Sequence, residues 1–260
     1  MSKNVIFCYS GSGNCLDIAR NIAKKLGDTD IVLMRSAPAV TDVREAKKVG
    51  FIFPCYAGGL PGDVEEYVKR VRVSPTAYTF AVGQYAGYLG CGLHKIDKRF
   101  HLNYWQGVSH QCSAIWLFPH QLMLPPITPA MAQKRSEKKA KKIAAAVLAG
   151  EMSKKSPPKM HLNALESKVW PTLAKAKAKK FDVTDSCIGC AQCVTLCPRN
   201  NIRLVDHKPQ FGDDCIQCLG CLQFCPQEAI TLTEKTVKRE HYHNPNVTVA
   251  ELTKDIIHFD

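Results

Sequence analysis

Apolar and polar positions change period along the chain, and each change marks an element. Residues 4–9 (Asn-Val-Ile-Phe-Cys-Tyr) are a continuous apolar run and predict a strand. A small-residue loop follows, and then Leu16, Ile18, Ala19, Ile22, Ala23 and Leu26 recur at helical spacing. The alternation continues with strands over Asp30–Met34, Lys47–Phe53 and Tyr78–Val82, and helices over Asp63–Val71 and Leu89–Phe100. A fifth strand is expected within Trp105–Pro119, centred on the apolar stretch Ser113–Phe118. Pro129 opens a lysine-rich helix that runs to about Leu148. Strands alternating with helices in this way imply an α/β fold, a doubly wound parallel sheet of five strands.

The pattern changes after Gly150. Gly150–Pro158 is a break by composition, and Leu162–Lys180 predicts a joining helix disturbed at Pro171. Beyond it, Cys187, Cys190, Cys193 and Cys197 recur as Cys215, Cys218, Cys221 and Cys225, with Pro198 and Pro226 closing each run. Each run is C-x2-C-x2-C-x3-C-P, in which three thiolates hold one iron–sulfur cubane and the fourth crosses to the other. Crossing assigns Cys187, Cys190, Cys193 and Cys225 to one [4Fe–4S] cluster, and Cys215, Cys218, Cys221 and Cys197 to the second. Paired C-x2-C motifs also bind zinc, but zinc needs only four ligands and not eight in a doubled spacing. Ile202 and Leu204 follow one proline at the offsets at which Ile230 and Leu232 follow the other, so each half supplies a short strand to pack under the clusters. Residues 181–236 resemble the two-cluster bacterial ferredoxins.

The first loop, Ser10-Gly11-Ser12-Gly13-Asn14, joins a strand to a helix N-terminus, where free N–H groups and the helix dipole favour an anion. It lacks the Gly-Lys-Ser/Thr of a P-loop, and Leu16 breaks a G-x-G-x-x-G fingerprint. With Cys15 it resembles the flavodoxin phosphate loop, and the resemblance covers about residues 3–150. It implies a bound FMN. The loop after the third strand (Pro54, Tyr56, Ala57, Gly58, Gly59) and the loop after the fourth (Gly83, Gln84, Tyr85, Gly87, Tyr88, Leu89) match the two that flank the isoalloxazine. Tyr56, Tyr85 and Tyr88 are the stacking candidates. The tryptophan that flavodoxins often place in the first of these loops is missing, which leaves one face of the ring open. His120 and Gln121, on the ligand side, are candidates to line a substrate space.

Composition adjusts this picture in three places. The chain of 260 residues carries a formal charge of +12, which invites a nucleic-acid reading. Two clusters and a flavin phosphate would bring it to about +6. The excess also lies in runs such as Lys138-Lys139, Lys141-Lys142 and Lys175–Lys180, which read as solvated helix faces or as a docking surface for an acidic, ferredoxin-like electron carrier. Nucleic acid and membrane are not expected partners. Of thirteen cysteines, five (Cys8, Cys15, Cys55, Cys91, Cys112) lie outside the runs. They read as small buried hydrophobes in a reducing cytoplasm.

The expected organisation is a flavodoxin-like domain over 1–150, a helical linker over 151–180, a ferredoxin-like domain over 181–236 and a polar tail over 237–260. In the tail, Thr248 and Glu251 form a capping box ahead of Leu252, Ile256 and Ile257, which need a surface, either the flavin domain or a second subunit. This order resembles the flavodoxin–ferredoxin fusion proteins of anaerobic bacteria and archaea. The resemblance implies FMN and two low-potential clusters on one polypeptide. Cubanes pass single electrons while a flavin holds two. The expected function is therefore an oxidoreductase coupling one-electron transfer to two-electron chemistry on a small organic acceptor. The alternative is a carrier between protein partners. No NAD(P) fingerprint is present, which disfavours a direct nicotinamide donor.

Overall fold

The computed structural model describes residues 2–35, 39–117, 127–159 and 161–260, with 161–164 described by backbone alone. In chain order the first half contains β1 (Asn4–Cys8), α1 (Asn14–Leu26), β2 (Thr29–Leu33), β3 (Lys48–Pro54), α2 (Gly62–Val68), β4 (Tyr78–Tyr85), α3 (Gly92–Phe100), β5 (Tyr104–Ser109) and α4 (Pro129–Leu148). Helix α5 (His161–Ala178) then leads into β6 (Asp182–Val183), α6 (Gln192–Leu196), β7 (Ile202–Val205), β8 (Lys208–Phe211), α7 (Gly220–Gln223), β9 (Ile230–Thr231) and α8 (Glu234–Lys238). The chain closes with α9 (Val249–Leu252) and β10 (Ile256–Phe259).

Strands β1 to β5 are parallel in the order 2-1-3-4-5, which is the flavodoxin-like order. Because helices cover both faces, the strands are apolar on both sides. Ile6 and Cys8 enter the core under α1 and α4, whereas Val5 and Phe7 enter the opposite core with Val64, Tyr67, Leu93 and Ile96. Gly50 of β3 is required by a neighbour: the Phe80 ring lies 2.3 Å from where a Cβ would stand. Full burial of such a phenylalanine stabilises by about 1.5–3 kcal/mol.

Two expectations need correcting. The fifth strand is Tyr104–Ser109, paired with β4 from Phe80↔Tyr104 to Tyr85↔Ser109, and Ser113–Leu117 is a turn. That stretch is apolar because Ile115 is buried against Leu219, Leu222, Ile230 and Leu232 of the cysteine-bearing segment. The sheet also has six strands, not five, since β10 adds antiparallel to the free edge of β2. His120 and Gln121 lie outside the described residues. Helix α5 continues through Pro171.

The tail is thus a clasp on the first sheet. Its capping box forms, with Thr248 accepting from the Glu251 N–H at 3.3 Å and Glu251 accepting from the Thr248 N–H at 2.9 Å. Leu252 is buried beside the α1 core. Arg20 reaches the Asn246 carbonyl at 2.7 Å and Glu251 at 3.0 Å. On β10, His258 meets Asp30 of β2 at 2.8 Å and Asp260 at 3.0 Å. Paired in this way, β2 is no longer an open edge. No helix among the described residues is long and apolar enough to cross a membrane.

The clasp is pH-sensitive. Hydrogen bonds donated to the Asp30 and Asp260 carboxylates raise His258 above its ordinary 6.5. Burial works against Asp30, but hydrogen bonds from His258 and Ser2 outweigh it and hold the carboxyl below 3.8. The histidine share of stability is fully present below 6.5 and fades as pH rises through the raised value; the carboxylate share is present above 3.8 and fades as pH falls. The melting-temperature gap between wild type and His258→Ala should therefore be wider at pH 5.5 than at pH 8.5. An equal gap at both values would refute the linkage.

Candidate metal centre and adjoining cavity

The two cysteine runs fold alike. The residue after the second cysteine of each, Ala191 or Leu219, is left-handed (φ 61° and 59°) and starts a short helix. The second of the two residues between the first two cysteines, Gly189 or Gln217, is also left-handed (φ 67° and 59°). These reversals turn three sulfurs toward one space. One small cavity is lined by Cys187, Cys190, Cys193 and Cys225, and a second by Cys197, Cys215, Cys218 and Cys221. The fourth cysteine of each run therefore faces the cavity of the other. Leu204 and Ile230 line the first cavity, and Ile202 and Phe211 the second.

These residues fit polynuclear iron–sulfur cores. Among the described residues no three His, Cys, Asp or Glu side chains close on a point for a single ion. Four cysteines line each cavity, which is the ligand number of a [4Fe–4S] core. Backbone N–H groups donate to the sulfurs at repeated offsets, Asn201 to Cys197 at 3.3 Å and Ala229 to Cys225 at 3.3 Å, with Gln217 to Cys215 at 3.4 Å. Burial pushes Cys193 and Cys215 up to about 11 and Cys218 to about 12. At these values the thiols are protonated near neutral pH, and a cationic core bound among them would displace the protons. Cys190 is exposed, and Ile188 beside it is 64% exposed.

The second run is seated on the first loop, backbone to backbone. A Cβ on Gly11 would lie 2.4 Å from the Cys218 carbonyl, and one on Gly220 would lie 3.1 Å from the Gly11 carbonyl. Side chains rivet the seat. Arg199 pairs with buried Asp63, with Glu66 at 3.2 Å and with Asp214 at 3.2 Å. Burial raises Asp63 to about 6 although Arg199 opposes the shift. Arg35 donates to the carbonyls of Thr195 and Cys197 at 3.0 and 3.1 Å.

The first loop keeps the features of an anion cradle. Gly13 is left-handed (φ 90°) at the start of α1, and no side chain caps the helix. Ser10 Oγ and Asn14 Nδ2 are buried without partners. The Asn14 oxygen accepts from Tyr242 at 2.9 Å and from Asn244 at 3.2 Å, which leaves its amide N–H groups as the free donors. The tail covers the loop, with the Asn244 N–H donating to the Ser12 carbonyl at 2.8 Å. The Cys15 thiol is buried in the α1 core, as expected of a small hydrophobe, and does not face the loop.

Beside the loop lies a cavity of about 420 Å³. Pro54, Tyr56, Ala57, Gly58, Gln84, Tyr85, Gly87 and Tyr88 line it, so two expected loops converge there. Three other expected contacts do not. Gly59 lies against Ser167 of α5, and Gly83 packs on Leu89, whose side chain lies 2.9 Å from where a Cβ on Gly83 would stand. Ser10 and Gly11 line a separate, smaller cavity with Arg35 and Cys218. The Tyr56 hydroxyl reaches toward the first loop, 3.0 Å from where a Cβ on Gly11 would stand.

Sequence reasoning missed the rest of the wall. Gln111, Cys112, Ser113 and Trp116 come from beyond β5, Glu166 and Trp170 from α5, and Gln217 from the second cysteine run. Trp116 and Trp170 stack at 6.3 Å, so the cavity has aromatic walls without a tryptophan in the β3 loop. Four polar atoms on this wall are buried without partners: Gln111 Oε1, Gln217 Oε1, Trp116 Nε1 and Trp170 Nε1. Two donors and two amide oxygens around an apolar slot suit a planar heterocycle whose edge both donates and accepts. Burial raises Cys55 to about 12 and also lifts Cys112, which keeps both thiols protonated and unreactive.

Residues 178–226 match the family described as a 4Fe-4S dicluster domain. This match supports a 4Fe–4S centre in the segment. The chain is a flavodoxin-like sheet joined to an iron–sulfur segment. No curated protein matches the sequence. Solved structures with a similar fold include an FMN-dependent NADH-azoreductase from Bacillus anthracis, 7% identical, with a TM-score of 0.42 over 55% of this chain and 97% of that one. The flavodiiron core of Flv1 from Synechocystis is 14% identical, with a TM-score of 0.38 over 57% of this chain and 36% of that one. Rubredoxin oxygen:oxidoreductase from Desulfovibrio gigas is 15% identical, with a TM-score of 0.37 over 57% and 37%.

Gly11→Ala should push the Cys218 carbonyl away and cost about 1–3 kcal/mol by overpacking. Gly87→Ala, with nothing within 4 Å, should stay within about 0.5 kcal/mol of wild type. Urea unfolding of both variants checks the contrast.

Proposed function

We propose that this protein is an iron–sulfur flavoprotein oxidoreductase. It holds two [4Fe–4S] clusters and one FMN, and couples one-electron transfer to two-electron reduction or oxidation of a small organic molecule. The observation that carries the reading is a shared loop. Cys215 and Cys218 line the second cysteine cavity, while Gln217 between them lines the large cavity beside it. When bound, cubanes supply one-electron steps and the flavin supplies the conversion to hydride chemistry.

The chain's own residues divide the work. Cys187, Cys190, Cys193 and Cys225 hold one cluster, and Cys197, Cys215, Cys218 and Cys221 the other. The Asn201, Gln217 and Ala229 N–H groups place positive dipoles on sulfur, which favours the reduced state. Ser10, Asn14 and the first turn of α1 receive the flavin phosphate, and the slot lined by Tyr56, Tyr85, Trp116 and Trp170 receives the ring. Helix α5 contributes Glu166 and Trp170 to the wall of the slot, and Tyr88 donates a hydrogen bond to Glu166 there. Exposed Cys190 and Ile188 mark the face for an acidic electron-carrier protein, with the lysines of α5 steering its approach.

Iron, sulfide and flavin contents of anaerobically purified protein test the cofactors. Saturable reoxidation by small acceptors tests the enzyme reading, since a pure carrier would respond to proteins alone. Cys197→Ser should remove about half of the iron and leave the cluster held by Cys187, Cys190, Cys193 and Cys225 visible by electron paramagnetic resonance; loss of signals from both would break the crossed assignment. Asn14→Ala should weaken FMN about tenfold, the loss of a charge-assisted hydrogen bond, without changing iron content, as equilibrium dialysis would report.

A further inference from the structure

The repeat carries a mismatch at one position. Gly189 and Gln217 occupy equivalent places in the two runs and share a left-handed backbone, φ 67° and 59°. Glycine takes this conformation at no steric cost, whereas a residue with a Cβ is strained there. Gln217 is nonetheless 4% exposed, so the strain does not serve a solvated side chain. Its Nε2 lies 3.8 Å from the Cys215 sulfur, and its Oε1 is buried with no partner on the wall of the large cavity. Support of Cys215 alone would use only the nitrogen arm and would leave a buried acceptor unpaired, which is costly. Strain, burial and an unpaired acceptor at one residue point to a ligand.

We propose that Gln217 is the residue by which the second cysteine site reads the occupant of the cavity. Its amide oxygen receives the N–H edge of the bound flavin ring while its nitrogen stays on Cys215. This rests on the flavin reading above. Glutamine stands here instead of the repeat's glycine because the second run faces the cavity and the first faces solvent.

The test uses the full chain with its clusters loaded anaerobically, FMN as the probe, and two variants. Gln217→Gly restores the residue of the first run and relieves the strain; Gln217→Met keeps the length without the amide. Both should retain wild-type iron and sulfide, and the glycine variant should melt no lower than wild type. Both should bind FMN on the order of tenfold more weakly and shift the flavin midpoint potential. If wild type binds FMN and both variants match it in affinity and potential, the proposal is wrong while the flavin reading stands. Loss of iron in the glycine variant would also overturn it, by showing a purely structural role. Wild type that takes up no FMN would overturn the flavin reading and the proposal with it.

Discussion

The contact between the first loop and the second cysteine run constrains everything around it. Gly11 and Gly220 bring two backbones together with no side chain between them. Only this approach lets one loop line a cysteine cavity on one side and the large cavity on the other. The Arg199 network around it is a poor source of stability, because burying Asp63 opposes its ionisation. Its better-supported effect is on register. Arg199 directly follows Pro198 at the end of the first run, and its three carboxylate partners come from α2 and from the start of the second run. A shift of the seat by one residue would strand a guanidinium among unpaired acids.

A second set of buried polar groups fixes the first loop from the tail side. His110 is fully buried and driven down to about 4 by burial, so it is neutral near pH 7. It meets Gln133 at 3.1 Å, and Gln133 in turn meets Asn244 at 3.0 Å and Asp17 at 2.7 Å. Such a network rigidifies when nearly every member is satisfied. The atoms it leaves over are the Asn14 amide N–H groups beside the uncapped helix. Residues from α1, the end of β5, α4 and the tail thus converge on the orientation of one asparagine side chain.

Much of this architecture was legible in sequence because its signals are local. Buried parallel strands read as apolar runs, helices as 3.6-residue stripes, and cluster ligands as a fixed spacing. The failures share a physical cause. Ser113–Leu117 looked like a strand because burial, not hydrogen bonding, sets apolarity, and Ile115 is buried by a segment more than a hundred residues away. The sixth strand was hidden because Ile256 and Ile257 show that a partner is needed without naming it. Trp170 carried no sign of facing a cavity lined in part by its own helix. Gln217 alone had a usable signal, its alignment with Gly189 in the repeat, but the left-handed backbone that gives the alignment meaning is not written in the residue types.

The linker and tail are therefore parts of the site and not tethers around it. A flexible tether would raise the encounter frequency of two finished domains. Here neither half is finished alone. The cavity wall needs Trp170 and Glu166 from α5 and Gln217 from the second run, while the first loop needs Tyr242 and Asn244 from the tail. Helix α5 makes the point most directly. Ala174 and Ala178 are buried and Trp170 stacks on Trp116, while Leu165, Val169 and Leu173 remain exposed. Its weakly amphipathic sequence suits a helix clamped between two bodies rather than one laid on a single core. Fusion of the two units thus builds a composite cavity whose wall is complete only when α5 and the second cysteine run pack against the first sheet.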